Sequence, residues 1–342
     1  MRSRLNMTAW QLNSFGLENL KPAQITQAEH KSDEVLIKFE AASVNPRDYQ
    51  IIEGLFTQNV NFPLTPLSDG AGVVVAAGDD VTGLEIGDTV TPLFFPNWKS
   101  GEALFDERKI SSGLESEGVL RKSGVYNQNA VTKIPDYLTA CEAACLPCAG
   151  LTAWTSLVPV GNIEPGNTVL VQGTGGVAIA ALQLSKALGA RVIIISSSDE
   201  KLARAKNMGA DLCINYLRQP NWGSEAFEFT GGGVDAVIEI GGAGTMEQSL
   251  NAIRHGGHIA VIGYMAGIQL DVTVFPLIIK CANLHGIATG NRDNYEQMLT
   301  FMADHKVKPT ISRLYSYDEA PIALGDIAKG GHFGKLVIDF AR

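Results

Sequence analysis

The stretch Thr168-Val-Leu-Val-Gln-Gly-Thr-Gly-Gly-Val-Ala178 decides how the second half of this chain folds. It begins as an apolar run of strand length and continues with glycines at positions 173, 175 and 176. A helical pattern follows over residues 177–188, and a second, wholly apolar strand is predicted over residues 191–195. Strands that are apolar throughout are typical of sheets buried on both faces. The stretch therefore predicts the first strand–turn–helix–strand unit of a parallel sheet.

The same alternation of strands and helices continues to about residue 290. Helices of about 10–13 residues between short strands favour a doubly wound parallel sheet, an α/β architecture. Further strands are predicted over residues 212–216, 233–240, 258–262 and 284–289, and helices over 199–208 and 245–254. Together with the first two strands, these make a sheet of six.

The chain before and after this region has a different pattern of apolar and polar residues. Short alternating runs between glycine turns predict a β-rich fold for the first 130 residues. Residues 96–122 are polar and weakly patterned, which predicts a long surface loop. Near the carboxyl end we expect helices over residues 294–305 and 317–329 and a strand that starts at residue 335. A length of 342 residues accommodates two domains.

Composition excludes several classes of function. The chain has 27 Lys and Arg against 36 Asp and Glu, a net charge of −9, which disfavours nucleic-acid or anionic-membrane partners. The longest apolar stretch, residues 176–195, is interrupted by Lys186 and Arg191 and does not predict a membrane span. Five cysteines, an odd number, disfavour a disulfide framework and favour a reducing compartment. We expect a cytoplasmic protein that acts on a small molecule.

Gly173, Gly175 and Ala178 match the pattern G-x-G-x-x-G/A in the one context that gives it meaning, between a strand and a helix. The first glycine would make a tight turn, and the second would let the backbone approach a pyrophosphate. Exposed N–H groups and the helix dipole would then attract the phosphates. The residues predicted to bind the phosphates of a dinucleotide are Gly173, Thr174, Gly175, Gly176 and Val177.

The end of the second strand indicates which dinucleotide is bound. An Asp or Glu there would accept the ribose 2′-hydroxyl of NAD, but the strand ends in Ser196-Ser197-Ser198. Small hydroxyls leave room for a 2′-phosphate, so NADP(H) is favoured over NAD(H). Asp199 and Glu200 are interpreted as the start of a helix. The other candidate coenzyme residues are Lys201 and Arg218 for positive charge, Tyr216 beside the adenine, and Gly241, Ile262, Gly263, Thr289 and Asn291 at later strand ends.

Several motifs in both halves resemble one family. They are Ser68-Asp-Gly-Ala-Gly-Val73, Val81-Thr-Gly-Leu-Glu-Ile-Gly-Asp-Thr-Val90, Leu146-Pro-Cys-Ala-Gly-Leu-Thr-Ala-Trp154 and His332-Phe-Gly-Lys-Leu-Val337. The chain resembles the medium-chain dehydrogenase/reductase superfamily, in its zinc-free alcohol dehydrogenase-like and quinone oxidoreductase-like branch. The resemblance implies a GroES-like β-barrel domain from residues 1–149 and 289–342. It also implies a Rossmann nucleotide-binding domain over residues 150–288, and pairing into a homodimer through the sixth Rossmann strand.

The resemblance also places the metal positions of the zinc-containing members. They fall on Asn45, Ser68 and Cys148, of which only the cysteine is a good zinc ligand. Residues 90–120, where the family's structural zinc would be bound, contain no cysteine. We therefore expect no metal. Cys141, Cys145 and Cys148 are spaced along one face of a helix that Pro147 would end, and we interpret them as core residues, with a metal or redox pair as the alternative.

Without a metal, a side chain, a backbone N–H or water must stabilise the oxygen that gains charge during hydride transfer. By resemblance Asn45 is expected near the nicotinamide, Tyr49 is the candidate proton donor, and Asp69 supports the site. These residues predict a zinc-independent NADP(H) oxidoreductase acting on small alcohols or aldehydes, quinones or enones. Two alternatives stay open: a dinucleotide-binding redox sensor without turnover, and a zinc-dependent alcohol or polyol dehydrogenase.

Overall fold

The computed structural model describes residues 6–102, 104–270 and 273–342. The chain divides into two compact units, one formed by Met1–Ala149 with Asn291–Arg342 and the other by Gly150–Gly290. We call the first the β-rich unit and the second the α/β unit. In the described part of the chain, no helix has both the length and the apolar character needed to cross a membrane.

The strands of the β-rich unit come from both ends of the chain. They are β1 (Asn6–Leu12), β2 (Leu20–Thr26), β3 (Glu34–Val44), β4 (Asp69–Ala77), β5 (Thr89–Pro92), β6 (Ser123–Asn127), β7 (Val131–Lys133), β14 (Ile311–Ser316) and β15 (Lys335–Asp339). Its helices are α1 (Pro46–Ile52), α2 (Phe105–Arg108), α3 (Ala140–Ala143), α10 (Arg292–His305) and α11 (Ala320–Lys329).

The α/β unit alternates strands with helices along the chain. Its strands are β8 (Thr168–Gln172), β9 (Arg191–Ser196), β10 (Leu212–Asn215), β11 (Val234–Glu239), β12 (Ile253–Val261) and β13 (Asn283–Gly286). Its helices are α4 (Leu151–Leu157), α5 (Gly176–Ala187), α6 (Asp199–Asn207), α7 (Trp222–Thr230), α8 (Met246–Ala252) and α9 (Val274–Lys280).

The sheet of the α/β unit has the order β10-β9-β8-β11-β12-β13, and every neighbouring pair is parallel. This confirms the predicted doubly wound sheet of six strands. Buried apolar side chains of β8, β9 and β11, among them Leu170, Ile193 and Val237, form its core with α7 and α8. Because parallel strands end at the same edge, residues that follow β8, β9 and β11 lie along one side of the sheet.

The β-rich unit depends on the last strand of the chain. The order of its main sheet is β14-β15-β3-β4-β5-β7, and β6 also pairs with β3. Strand β15 lies antiparallel to β3, with Leu336 opposite Val44. The carboxyl terminus therefore completes a sheet begun by the first 130 residues, which confirms the GroES-like fold.

Two sequence expectations about helices were wrong, and several helices were not predicted. Helix α3, which carries Cys141, ends at Ala143, but Pro147 does not end the helical backbone: a π-helical turn covers Leu146–Gly150 and leads into α4. The last two residues of the helix predicted over 245–254 belong instead to strand β12, which begins at Ile253. Helices α7 and α9 were not anticipated, because Gly223 and Pro276 obscure their short apolar patterns.

The close approach of β3 and β4 requires glycine at position 72. A Cβ there would lie 2.1 Å from the backbone oxygen of Lys38 and 2.7 Å from Cα of Phe39. We expect Gly72→Ala to lower the free energy of unfolding by about 1–3 kcal/mol, because backbone atoms cannot yield as a flexible side chain would.

Gly325→Ala is the matched control, since its Cβ would meet only Leu17 Cδ2 at 3.9 Å. On helix α11 this change should be neutral or stabilise by about 0.5–1 kcal/mol. Guanidinium unfolding followed by tryptophan fluorescence measures both variants. Equal unfolding free energies for the two variants would contradict the account of Gly72.

Candidate active site

The glycine-rich turn of the α/β unit has the geometry of an anion site. Gly173 follows β8 with φ of +76°, and α5 begins at Gly176 with Gly175 as its N-cap. No atom lies within 4 Å of a Cβ built on Gly173, so the left-handed backbone, not crowding, requires glycine there. The first N–H groups of the twelve-residue α5 are free of intrahelical partners. The turn can therefore bind phosphate oxygens.

A buried polar network supports the loop beside this turn. Gln172 Nε2 donates to Glu239 Oε2 (2.7 Å), and Gln172 Oε1 accepts from the backbone N–H groups of Ile240 and Gly241 (both 3.0 Å). Glu239 is fully buried and also accepts from Gly242 N at 2.9 Å and from the Ser249 hydroxyl. Gln172 thus bonds directly to the predicted coenzyme residue Gly241 and Glu239 to the residue after it, and the sequence analysis missed both side chains. Their signal was a polar residue at the end of each apolar strand.

The three serines after β9 have different environments. Ser196 is buried, and its hydroxyl accepts from Ser198 N at 3.3 Å. Ser197 is exposed, and Ser198 caps α6 by accepting from Lys201 N at 3.3 Å. Asp199 and Glu200 occupy the first turn of α6, as interpreted from the sequence. Of these serines, the side chain that is free to meet a ribose or its phosphate is that of Ser197.

Arg218 is paired with a carboxylate. Its guanidinium forms a salt bridge with Asp199, and Asn215 Nδ2 donates to the same Oδ1 atom at 2.8 Å. Tyr216, which follows Asn215 in the chain, is 38% exposed. Both partners of the salt bridge are more than half exposed, so the pair contributes only about 0–1 kcal/mol and breaks at little cost.

The later strand ends supply backbone groups. The N–H groups of Ile262 and Gly263 donate to Glu239 O at 2.9 and 3.2 Å, and a Cβ on Gly263 would lie 2.3 Å from Ile240 O. Thr289 is buried with φ of +60°, a strained conformation for a branched residue. Asn291 belongs to the β-rich unit, where its Oδ1 accepts from Asn294 N at 2.8 Å and caps α10.

A buried polar cluster lies in the β-rich unit where α1 begins. The Asn45 backbone N–H donates to Asp48 Oδ2 (2.8 Å), and its side-chain Nδ2 donates to Asp69 Oδ2 (3.0 Å). Asp69 also accepts from the Ser68 hydroxyl (2.8 Å) and from Cys148 N (3.2 Å). Asn45 and Asp69, predicted from the sequence, are therefore in direct contact.

The cluster also contains Lys335, to which the sequence analysis gave no role. Its Nζ donates to Asn45 Oδ1 at 2.6 Å and lies 3.9 Å from Asp69 Oδ2. Lys335 is the first residue of β15, about 290 positions from Asn45 in the chain. Only the pairing of β15 with β3 brings it here.

Tyr49 points elsewhere. It is half-buried and packs against the hydrophobic core of the β-rich unit. Next to the cluster, Phe94, Phe95 and Trp98 form a buried aromatic group against which Cys148 packs. The Arg47 guanidinium lies 4.7 Å from the centre of the Phe94 ring and donates to Ser111 Oγ at 2.5 Å.

Burial governs the pKa values in this cluster. It raises the pKa of Asp48 to about 6, and the positive charge of Arg47 opposes the rise. Burial likewise raises the pKa of Asp69, against the opposing charge of Lys335. The pKa of the Cys148 thiol is also raised by burial, so the thiolate form is disfavoured.

The residues at the family's metal positions do not fit zinc. Both ends of the Asn45 amide are engaged, by Lys335 and by Asp69, and the Ser68 hydroxyl donates to Asp69. Of the three residues, only Cys148 is of a type that binds zinc firmly. Across the described ranges, no group of three or more His, Cys, Asp or Glu side chains is arranged to hold a metal ion.

Comparisons with known proteins agree with this architecture. The model of the alcohol dehydrogenase GroES-like domain matches residues 31–136, and that of the zinc-binding dehydrogenases matches residues 176–304. A zinc-type alcohol dehydrogenase-like protein of Schizosaccharomyces pombe is 36% identical over 94% of this chain and 96% of its own length. A candidate alcohol dehydrogenase from Sinorhizobium meliloti 1021 has a TM-score of 0.93 and 37% identity, with 99% of this chain and 100% of that chain covered. For the quinone oxidoreductase of Coxiella burnetii the TM-score is 0.78 at 27% identity, covering 98% of this chain and 99% of that chain.

The protein therefore belongs to the medium-chain dehydrogenase/reductase family, whose members are NAD(P)-dependent oxidoreductases. Within that family it is an alcohol dehydrogenase-like oxidoreductase.

The raised pKa of Asp48 predicts how stability depends on pH. The folded chain holds a proton at Asp48 up to about pH 6, whereas the unfolded chain releases it near pH 4. Asp48 therefore makes the free energy of unfolding fall as the pH rises from about 4 to about 6, by roughly 3 kcal/mol.

Asp48→Asn should abolish this contribution, because the amide stays neutral and its oxygen still accepts from Asn45 N. At pH 7.5 we expect the variant to be more stable than the natural chain, and the difference to vanish near pH 4. Urea unfolding at several pH values measures it, with Asp80→Asn at an exposed position as control. A difference that is the same at pH 4 and pH 7.5 would contradict the assignment.

Proposed function

We propose that this protein is an NADP(H)-dependent oxidoreductase that works without zinc on small alcohols or aldehydes, quinones or enones. The observation that carries the proposal is the turn Gly173–Val177, whose left-handed first glycine and free helix N-terminus match a pyrophosphate. When bound there, the nicotinamide coenzyme supplies or accepts the hydride. Every other contribution comes from the chain itself.

Three groups of residues would hold the coenzyme. The backbone of Gly173, Thr174, Gly175, Gly176 and Val177 would bind the phosphates. Backbone and side-chain contacts along the rest of the coenzyme would come from Gly241, Ile262, Gly263, Thr289 and Asn291. Ser196, Ser197, Lys201, Tyr216 and Arg218 would face the adenosine end.

The adenosine end favours NADP(H) because it offers hydroxyls and positive charge where NAD-binding folds carry an acid. Ser197 is exposed, and Ser196 shapes the turn beneath it. Arg218 can leave Asp199 at little cost and pair with a 2′-phosphate, since its salt bridge is open to water. A doubly charged phosphate attracts the guanidinium more strongly than a single carboxylate does.

In the β-rich unit, the chemistry is assigned to the cluster around Asn45. Lys335 and Asp69 engage both ends of its carboxamide, so Asn45 would act as a fixed dipole and not as a direct donor to the substrate oxygen. Asp69 supports the amide and the Cys148 backbone. Tyr49 is the weakest member of the proposed set, because its ring packs on the hydrophobic core.

The proposal that the protein works without zinc rests on the chemistry of the side chains at the family's metal positions. An amide bonded at both ends and a hydroxyl bonded to a carboxylate are poor zinc ligands, which leaves the Cys148 thiol as the one firm ligand among the three. A zinc-dependent alcohol dehydrogenase is the competing function, favoured by the zinc-type relative in Schizosaccharomyces pombe. A redox sensor without turnover would use the same coenzyme turn.

We further propose a cytoplasmic homodimer formed through the edge strand β13. Leu284 on this strand is 37% exposed, and the neighbouring helix α9 presents Phe275, Ile278 and Ile279, each more than half exposed. An edge strand with unpaired backbone groups beside an exposed apolar helix face is suited to pairing with a second copy of the chain.

Coenzyme preference can be tested at the exposed serine. We expect Ser197→Asp to weaken NADPH binding and to lower the NADPH-over-NADH affinity ratio by about tenfold or more, because the new carboxylate repels the 2′-phosphate. Tryptophan-quenching titrations with each reduced coenzyme give the ratio. Ser224→Asp, an exposed change on α7 of the same unit, is the control and should leave the ratio unchanged. A ratio unaltered by Ser197→Asp would contradict the placement of the 2′-phosphate.

The proposal that activity does not require zinc is tested with a chelator. After dialysis against EDTA, kcat/KM with NADPH and a quinone or aldehyde should stay within about twofold of its starting value, since the site lacks three metal ligands. Elemental analysis of the purified protein should find far less than one zinc per chain. Activity that EDTA removes and zinc restores would establish the competing zinc enzyme instead.

A further inference from the structure

Lys335 is an unusual residue for the interior of a protein. Its side chain is 6% exposed, and its ammonium reaches the backbone oxygen of Val44 at 3.0 Å and Asn45 Oδ1 at 2.6 Å. Lysine is almost never fully buried unless its charge is paired. The carboxylate near it is that of Asp69, fully buried and 3.9 Å away.

Stability alone does not account for this pair. Removing two charges from water costs several kcal/mol for each ion, and well-packed apolar residues often serve a fold as well or better. The distance of 3.9 Å is longer than a direct hydrogen bond, so the shortest contact of the ammonium is with the Asn45 amide and not with the carboxylate. The arrangement points to the amide as the group that Lys335 serves.

An ammonium group fixes which way a carboxamide faces. It has three hydrogen-bond donors and no acceptor, so only the oxygen of Asn45 can be turned toward it. The nitrogen of the amide must then face the other way, toward Asp69 Oδ2 at 3.0 Å and Ser68 Oγ at 3.5 Å. If Lys335 carried no ammonium group, nothing on strand β15 would select one orientation of the Asn45 amide over the other.

We propose that Lys335 is a positioning residue for the oxidoreductase reaction: its ammonium locks the Asn45 carboxamide into one orientation and balances the charge of Asp69. The inference rests on the proposed function, in which Asn45 belongs to the reaction site. A displacement of about 1 Å in a reaction site costs on the order of 100-fold in rate, so the loss of this lock is measurable.

The experiment compares Lys335→Met with the natural full-length protein and with Lys329→Met. The latter makes the same chemical change at an exposed lysine of α11 and serves as matched control. We expect Lys335→Met to bind NADPH within about threefold of the natural protein while kcat falls on the order of 100-fold. Lys335→Arg, which keeps the charge, should recover part of kcat, and Lys329→Met should behave as the natural protein.

A purely structural role gives different results. If Lys335→Met folds and keeps kcat within threefold of the natural value, or loses only coenzyme affinity, the inference is overturned. If Lys335→Met does not fold, the charge-balanced Asp69→Asn/Lys335→Met variant replaces it, and the same loss of kcat with retained NADPH binding is expected. A kcat of that double variant equal to the kcat of the natural protein would overturn the inference. The proposed function fails separately, if the natural protein neither binds NADPH nor turns over.

Discussion

The β-rich unit is organised around a carboxylate that has no contact with water. Asp69, at the start of β4, is fully buried, and a buried charge is tolerated only when its hydrogen-bonding capacity is met and an opposite charge is near. Asn45, Ser68, Cys148 and Lys335 meet that need from separate segments of the chain. Contacts with this one buried side chain therefore bring three parts of the chain together: the start of α1, the backbone at Cys148 and strand β15.

The α/β unit solves a different electrostatic problem. Its turn at Gly173 presents unpaired N–H groups to an anion, and the helix dipole adds to their attraction. The buried Gln172 and Glu239 side chains hold the adjacent loop by bonding to its backbone, so the loop keeps its shape before any coenzyme arrives. Such preorganisation lowers the entropy lost on binding. In the proposed function, the α/β unit would bind the coenzyme and the β-rich unit would place the polar groups.

The cluster at the family's metal positions shows how the same backbone can serve a different chemistry. In a metal site, neutral or anionic donors converge on a cation. Here the cation is Lys335, and the donors are turned toward one another through Asp69. An ammonium fixes hydrogen-bond acceptors, but it cannot polarise a substrate oxygen as a Lewis acid does. In the proposed function, orientation and the coenzyme would lower the barrier without a metal-bound oxygen.

The sequence by itself determined the features that depend on neighbours along the chain. The period of apolar residues predicted the six parallel strands, and the pattern G-x-G-x-x-G/A after the first of them identified the turn at Gly173. The first turn of α6 was read correctly from Asp199 and Glu200 for the same local reason. Asn45 and Asp69 were singled out by resemblance, without any indication that they touch.

Only the tertiary structure decided which distant side chains meet. Lys335 reaches Asn45 because β15 pairs with β3, and Arg218 is held by Asp199 because β10 lies beside β9. The end of a helix at Pro147 was predicted wrongly, since the neighbouring helical turns continue through it in a π-helical form. Strand periodicity and glycine conformations are set within a few residues. Charge pairing and burial are set by contacts across hundreds of residues, which no local pattern encodes.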